Sequence, residues 1–215
     1  MLLTALEQHS EIHCLAEIFL PEDFEQTYIP AGESNVRAIL DSLSCSPDKK
    51  LFGFLVHYNE LFQSRYTSGL IDELLQREFR VIHITRDNLL RRFLSHEVAL
   101  GSQVWGDSDG SKPSTLKVRL SWRDLFLDIQ QTIDRAERTR ILFRHLPFLE
   151  LSYENLCADF TANLARVYEF LGASYEELTP LTFKQENRSL REAIANYDRL
   201  KLLFSLSKYR RFFDD

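Results

Sequence analysis

The sequence lacks any apolar run approaching the roughly 18 residues that a membrane-spanning helix needs. It has no basic leader either: Glu7 and Glu11 stand where a signal peptide would carry Lys or Arg, so none is expected. Positive charge is not in excess. The net charge of −6 argues against general affinity for nucleic acid, while leaving room for a local basic pocket for a small anion. Seven Gly and six Pro are too few for a collagen-like or low-complexity chain. Cysteine is scarce. Cys14, Cys45 and Cys157 share no metal-ligand spacing, and an odd number in a chain of this size points to a reducing compartment, so a cytoplasmic protein with no metal is expected. What is present is 215 residues, 44% of them hydrophobic, enough for a sizeable core and for one domain over 1–215.

Four segments have strand character: "EIHCLAEIF" (11–19), "KLFGFLVHY" (50–58), "FRVIHITR" (79–86) and "PFLELSYE" (147–154). The middle two are apolar on both faces, as buried parallel strands are. Helical patterns lie between them. One opens the chain with Leu2, Leu3 and Leu6. Others cover 34–43 with a Ser34 or Asn35 cap, 68–78 with Ser68 as cap, 87–100 from Asp87, 120–144, and 155–172 ending on Gly172. The tail, 188–213, is helical, and basic and aromatic near its end. Strands alternating with helices predict an α/β fold with a parallel sheet. The clearest loop is 101–115, rich in Gly, Ser, Asp and Pro.

In open α/β sheets, ligands bind beyond the carboxyl ends of the strands. That singles out Glu17, His57, Tyr58, Arg86, Asp87 and Glu154. In "VIHITRDNLLRRFLSHEVAL", Arg86 ends a strand, and Asn88, Arg91 or Arg92, and Ser95 fall near one face of the following helix. A fixed guanidinium fork plus a helix-borne hydroxyl suits a phosphate. A solvated basic helix face explains the same spacing.

This segment resembles the 3′-phosphate-binding segment of sulfotransferases that use 3′-phosphoadenosine 5′-phosphosulfate, in their bacterial carbohydrate-type branch. The matching residues are Arg86, Asn88, Ser95 and Ala99. Other family features follow in order. "LEQHSEIHCLAEIF" is similar to the first helix, the "HP-x-I" turn with Ser10 for Pro, and the "GE-x-F" strand end with Ala16 for Gly. "LFGFLVHYNEL" resembles the "GFK" strand, with Leu55 for the usual Lys. "LSYENLCADFTANLARVYEFLGA" resembles "YEDL…L…FLG", and "ENRSLREAIANYDRL" the C-terminal helix.

The resemblance implies a P-loop-like sulfotransferase fold with helices on both faces and a helical C-terminal part. It implies donor binding by Arg86 and Ser95, and Glu17 as general base toward a hydroxyl of a carbohydrate or glycolipid. His57 is the rival base, since it follows a strand and imidazole is the side chain most often used as a general base. Tyr153, Glu154 and Leu156 are expected to be structural, as is His9 in its turn; His13, His83 and His96 are expected to be sheet or helix side chains. Trp105 stacks on a sugar or plugs the loop. The family places a strand and an "RSGT" loop before its first helix; on that comparison the first strand is missing here. The expectation is a mis-set start or fragment rather than a genuinely shortened product, inactive in transfer as given. The alternatives are a non-catalytic remnant that binds nucleotide or protein, and a P-loop transferase, which the absence of "GxxxxGK[ST]" disfavours.

Overall fold

The computed structural model describes residues 1–19, 28–29, 33–46, 48–102, 117–179 and 188–214. It is a mixed α/β structure with two short parallel ladders and many helices. The chain divides into two compact units. Unit 1 comprises 1–83, 140–151 and 155–180; unit 2 comprises 84–139, 152–154 and 181–215.

In unit 1, α1 (Leu2–Leu6) buries Leu2, Ala5 and Leu6 and leads into β1 (Ile12–Leu15). The turn between them is held by His9, which is fully buried: its Nε2 lies 2.9 Å from the Ser174 carbonyl and its Nδ1 accepts the Glu11 N–H. The expected structural role of His9 is the one observed. After β1 come α2 (Val36–Ser44), β2 (Leu51–Phe54), α3 (Tyr58–Gln63) and α4 (Thr67–Gln76). β1 and β2 pair in parallel, Ile12 opposite Leu51 through Leu15 opposite Phe54. β3 (Val81–Thr85) pairs with β4 (Phe148–Ser152), and the Val81 N–H donates to the Pro147 carbonyl at 2.9 Å.

Side-chain alternation sends the ladders' two faces into two clusters. Leu15, Phe52, Phe54, Val81 and Phe148 pack with Ile39, Leu40 and Leu70 of α2 and α4. Ile12, Cys14, Leu51, Ile82, Leu149 and Leu151 pack with α1 and with α8 (Phe160–Leu171). Helices thus cover both faces, the arrangement that strands apolar on both sides require. Among the described residues, β1–β2 and β3–β4 form separate ladders.

In unit 2, α5 (Leu89–Ser102) and α6 (Trp122–Leu142) build a helical core around Leu90, Leu94, Leu125 and Ile129, each fully buried. At about 2–5 kcal/mol for each Leu→Ala change, this core carries much of the unit's stability. The tail closes it with α9 (Leu190–Ala193), α10 (Tyr197–Phe204) and a 3-10 turn (Lys208–Phe213). Asn196 ties the tail to the segment before α6: its amide accepts from the Leu120 N–H and donates to the Leu120 carbonyl.

The four strands occur where expected but are shorter, because the chain turns at each end. β1 stops at Leu15, and Glu17 then takes a positive φ of 40°. The α2 cap is Asn35, whose side chain accepts the Ala38 N–H. α4 begins before the expected cap Ser68: Tyr66 precedes its first residue, and Thr67 Oγ1 donates back to the Ser64 carbonyl. α5 is capped by Asn88 rather than Asp87, since Asn88 Oδ1 accepts the Arg91 N–H. The single helix expected over 155–172 is two, α7 (Tyr153–Ala158) and α8. Asp159 breaks it, leaving helical dihedrals to accept the Ala162 N–H. Gly172 does end α8, in the left-handed conformation that favours glycine. The first two positions of the expected 101–115 loop extend α5 instead; its other residues, with Trp105, lie outside the described ones.

Candidate functional site

Two constellations in unit 1 and one in unit 2 carry polar side chains, two of them at strand ends and one within the strands. In unit 1, the turn after β1 presents Glu17 and the turn after β2 presents His57. Parallel pairing puts these turns side by side, and His57 Nε2 lies 2.9 Å from Glu17 Oε1. Both side chains are about half exposed, so a small molecule can reach them. The positive φ of Glu17 is uncommon for a residue with a side chain; such strain persists where surrounding structure holds it, often at functional sites. Beneath the pair, buried Glu60 accepts the His57 N–H at 3.0 Å as α3 begins. Burial raises the Glu60 pKa, the His57 N–H and charge oppose this, and nearby Glu17 adds to it. A carboxylate bonded to an imidazole can hold the ring in one tautomer or pass it a proton, the working arrangement of an acid–base pair.

A second chain of contacts runs through His83 in the middle of β3. Its Nδ1 lies 2.9 Å from Glu150 Oε2 on β4, and its Nε2 lies 2.7 Å from the Tyr58 hydroxyl. Arg140 grips Glu150 with two hydrogen bonds, Nε to Oε2 at 2.8 Å and Nη2 to Oε1 at 3.1 Å. Burial pushes the His83 pKa below its ordinary value, against the pull of Glu150. Arg140 holds the Glu150 pKa below the usual carboxylate range, with His83 adding to it. With Nδ1–H donated to the carboxylate, Nε2 is an acceptor for the hydrogen bond of the Tyr58 O–H, and a neutral imidazole polarises the phenol. Sequence reasoning named Tyr58 only by position and read His83 as an ordinary sheet residue. The missed signal is that His83 and Glu150 each occupy the third position of a five-residue apolar strand.

In unit 2, Arg86 follows β3 and lays its guanidinium over the Tyr153 ring, 3.3 Å from the centroid. The Glu154 carboxylate accepts the Asp87 N–H at 2.9 Å and the Asn88 N–H at 3.4 Å, meeting the start of α5 with negative charge. Tyr153 and Glu154 thus have packing roles. Ser95 lies two turns into α5, partly exposed, in the same unit as Arg86. The neighbouring arginines have other partners: Arg91 donates to the Arg188 carbonyl, and Arg92 pairs with Asp128 on α6. Asn88 combines its cap with a bond from Nδ2 to the Phe212 carbonyl at 3.1 Å.

Among the described residues, no group of three or more His, Cys, Asp or Glu is placed to hold a metal ion, and no helix is long and apolar enough to cross a membrane. No protein-family model matches the chain, and no curated protein matches it either.

Proposed function

We propose that this chain is a sulfotransferase that binds 3′-phosphoadenosine 5′-phosphosulfate, with Arg86 and Ser95 at the 3′-phosphate, and passes the sulfuryl group to a hydroxyl of a carbohydrate or glycolipid. The observation that carries the reading is the Glu17–His57 pair, a reachable acid–base couple at the ends of two paired parallel strands. Glu17 takes the acceptor's proton, and His57 orients the carboxylate and shares the proton. The ordered motifs support the same fold type, with the α/β layering of unit 1 as its frame. In sulfuryl transfer, as in phosphoryl transfer, positioning and charge stabilisation supply most of the rate. A cytoplasmic location fits three unbridged cysteines.

A second reading is a nucleotide-binding module without transfer. Leu55 favours it, since an apolar side chain after β2 replaces the lysine that the resembling family carries there.

Binding tests the reading independently of turnover. Calorimetry with 3′,5′-adenosine bisphosphate is expected to show binding, and Arg86→Ala to weaken it by about 1.5–3 kcal/mol, the range for hydrogen bonds to charged groups. Absence of binding, or equal affinity in the variant, rejects the donor site.

A further inference from the structure

α10 breaks the rule that a surface helix is apolar on one side only. Its inner face buries Tyr197, Leu200 and Phe204 in the core of unit 2. Its outer face should be polar. Instead Leu202 and Leu203 are 74% and 53% exposed, and Leu206 in the next turn is fully exposed at 103%. Three leucines together in water gain nothing for folding, and contiguous exposed apolar surface marks an interaction site.

The surrounding charge identifies the partner. Residues 199–211 contain five basic residues, Arg199, Lys201, Lys208, Arg210 and Arg211, and no acidic one, in a chain whose net charge is −6. The nearest acids are engaged: Asp198 with Arg191 at 2.6 Å, and Asp214 with Lys201 at 3.7 Å. Among the described residues no ion pair engages Arg199, Lys208, Arg210 or Arg211. The turn is also fixed. Ser207 Oγ donates to the Phe204 carbonyl and accepts the Tyr209 N–H, while Tyr209, Phe212 and Phe213 anchor the following turn in the core.

We propose that this turn docks on an anionic lipid bilayer. Leu202, Leu203 and Leu206 enter the headgroup–acyl boundary, and Arg199, Lys208, Arg210 and Arg211 meet the lipid phosphates. Apolar insertion combined with basic contacts is the pairing that holds proteins on membrane surfaces without spanning them. A second copy of the chain fits less well, because symmetric pairing would set the same positive charges against each other. The inference is independent of the sulfuryl-transfer reading.

The test is co-sedimentation with vesicles of phosphatidylcholine alone, or mixed with phosphatidylglycerol, at low and high salt. The wild type should sediment with the mixed vesicles at low salt and release at high salt. The combined Leu202→Ser, Leu203→Ser, Leu206→Ser variant should partition at least about tenfold more weakly. Replacing Lys208, Arg210 and Arg211 by Gln should cost about fivefold per charge. All six side chains lie outside the core, so unfolding curves should match the wild type. No sedimentation at low salt, equal binding to both lipids, or binding indifferent to the leucines overturns the proposal. So does a leucine-dependent dimer in sedimentation velocity without vesicle binding.

Discussion

Replacing His83 by Gln should remove a pH dependence of stability that the wild type carries. His83 is 6% exposed, and burial holds its pKa below the ordinary value of about 6.5. In the unfolded chain the same imidazole takes up a proton as pH falls through that value. Between the two pKa values the unfolded state binds more protons, so stability falls as pH falls. From about pH 7.5 to about pH 5.5, proton uptake by the unfolded imidazole sets a ceiling of about 1.4 kcal/mol on the loss. Glu150 and the Tyr58 hydroxyl face the ring, Arg140 stands behind Glu150, and the carboxylate's attraction takes the loss below that ceiling. The amide in the His83→Gln variant keeps a donor for Glu150 and an acceptor for Tyr58 but does not titrate. Urea unfolding of both proteins at the two pH values measures the effect. The wild type's stability relative to His83→Gln should drop by a sizeable part of about 1.4 kcal/mol on acidification. A constant difference, or one that shifts toward the wild type at low pH, would mean that Glu150 outweighs burial and stabilises the imidazolium.

In a form of the protein that transfers sulfate, Glu17→Gln should lower the rate by about 10²–10⁴-fold, the usual cost of a lost general base, with nucleotide affinity unchanged in calorimetry. His57→Ala with the larger loss would move the base to the imidazole. Glu60→Gln should raise the melting temperature, most at high pH: the raised pKa means the folded state binds more protons, so the native carboxylate loses stability as pH rises through its folded pKa. The amide still accepts the His57 N–H, so a lower melting temperature would show that the charge itself is needed. Ser189→Ala should cost about 0.5–2 kcal/mol in denaturant unfolding, because the Ser189 hydroxyl caps α9 by accepting the Glu192 N–H; no loss would mean that the Glu192 side chain alone suffices.

Periodicity located β2 and β3 because they carry apolar residues on both faces, and the structure covers both faces with helices. It overran their ends because apolar residues continue past the paired strand residues. The Leu55 N–H still donates to the Leu15 carbonyl at 2.9 Å, yet Leu55 and Val56 lie outside β2. It merged α7 and α8 for a similar reason: an Asp within a helical pattern reads as a tolerable interior residue until its side chain is seen capping Ala162. Caps competed on equal terms in sequence, where Ser34 and Asn35 both fit. The choice depends on which side chain meets a backbone N–H, a fact of three dimensions.

The candidate site was legible as positions and illegible as partnerships. Strand ends predicted that Glu17 and His57 matter and set them against each other as rival bases. Parallel register places one beside the other, so the rivals form one hydrogen-bonded couple and the choice between them becomes a question of where a shared proton rests. Arg86 shows the converse. A strand-end guanidinium looked available for phosphate by itself, yet its resting place is the ring of Tyr153, sixty-seven residues later in the chain. An anion recruiting Arg86 must either share the guanidinium with that ring, through its edge nitrogens, or displace it. Stacking on the ring sets the plane of the guanidinium and with it the direction of its edge nitrogens. At the proposed donor site Tyr153 would set the plane of the Arg86 fork, so the aromatic residue that sequence reasoning set aside as structural would take part in aiming Arg86.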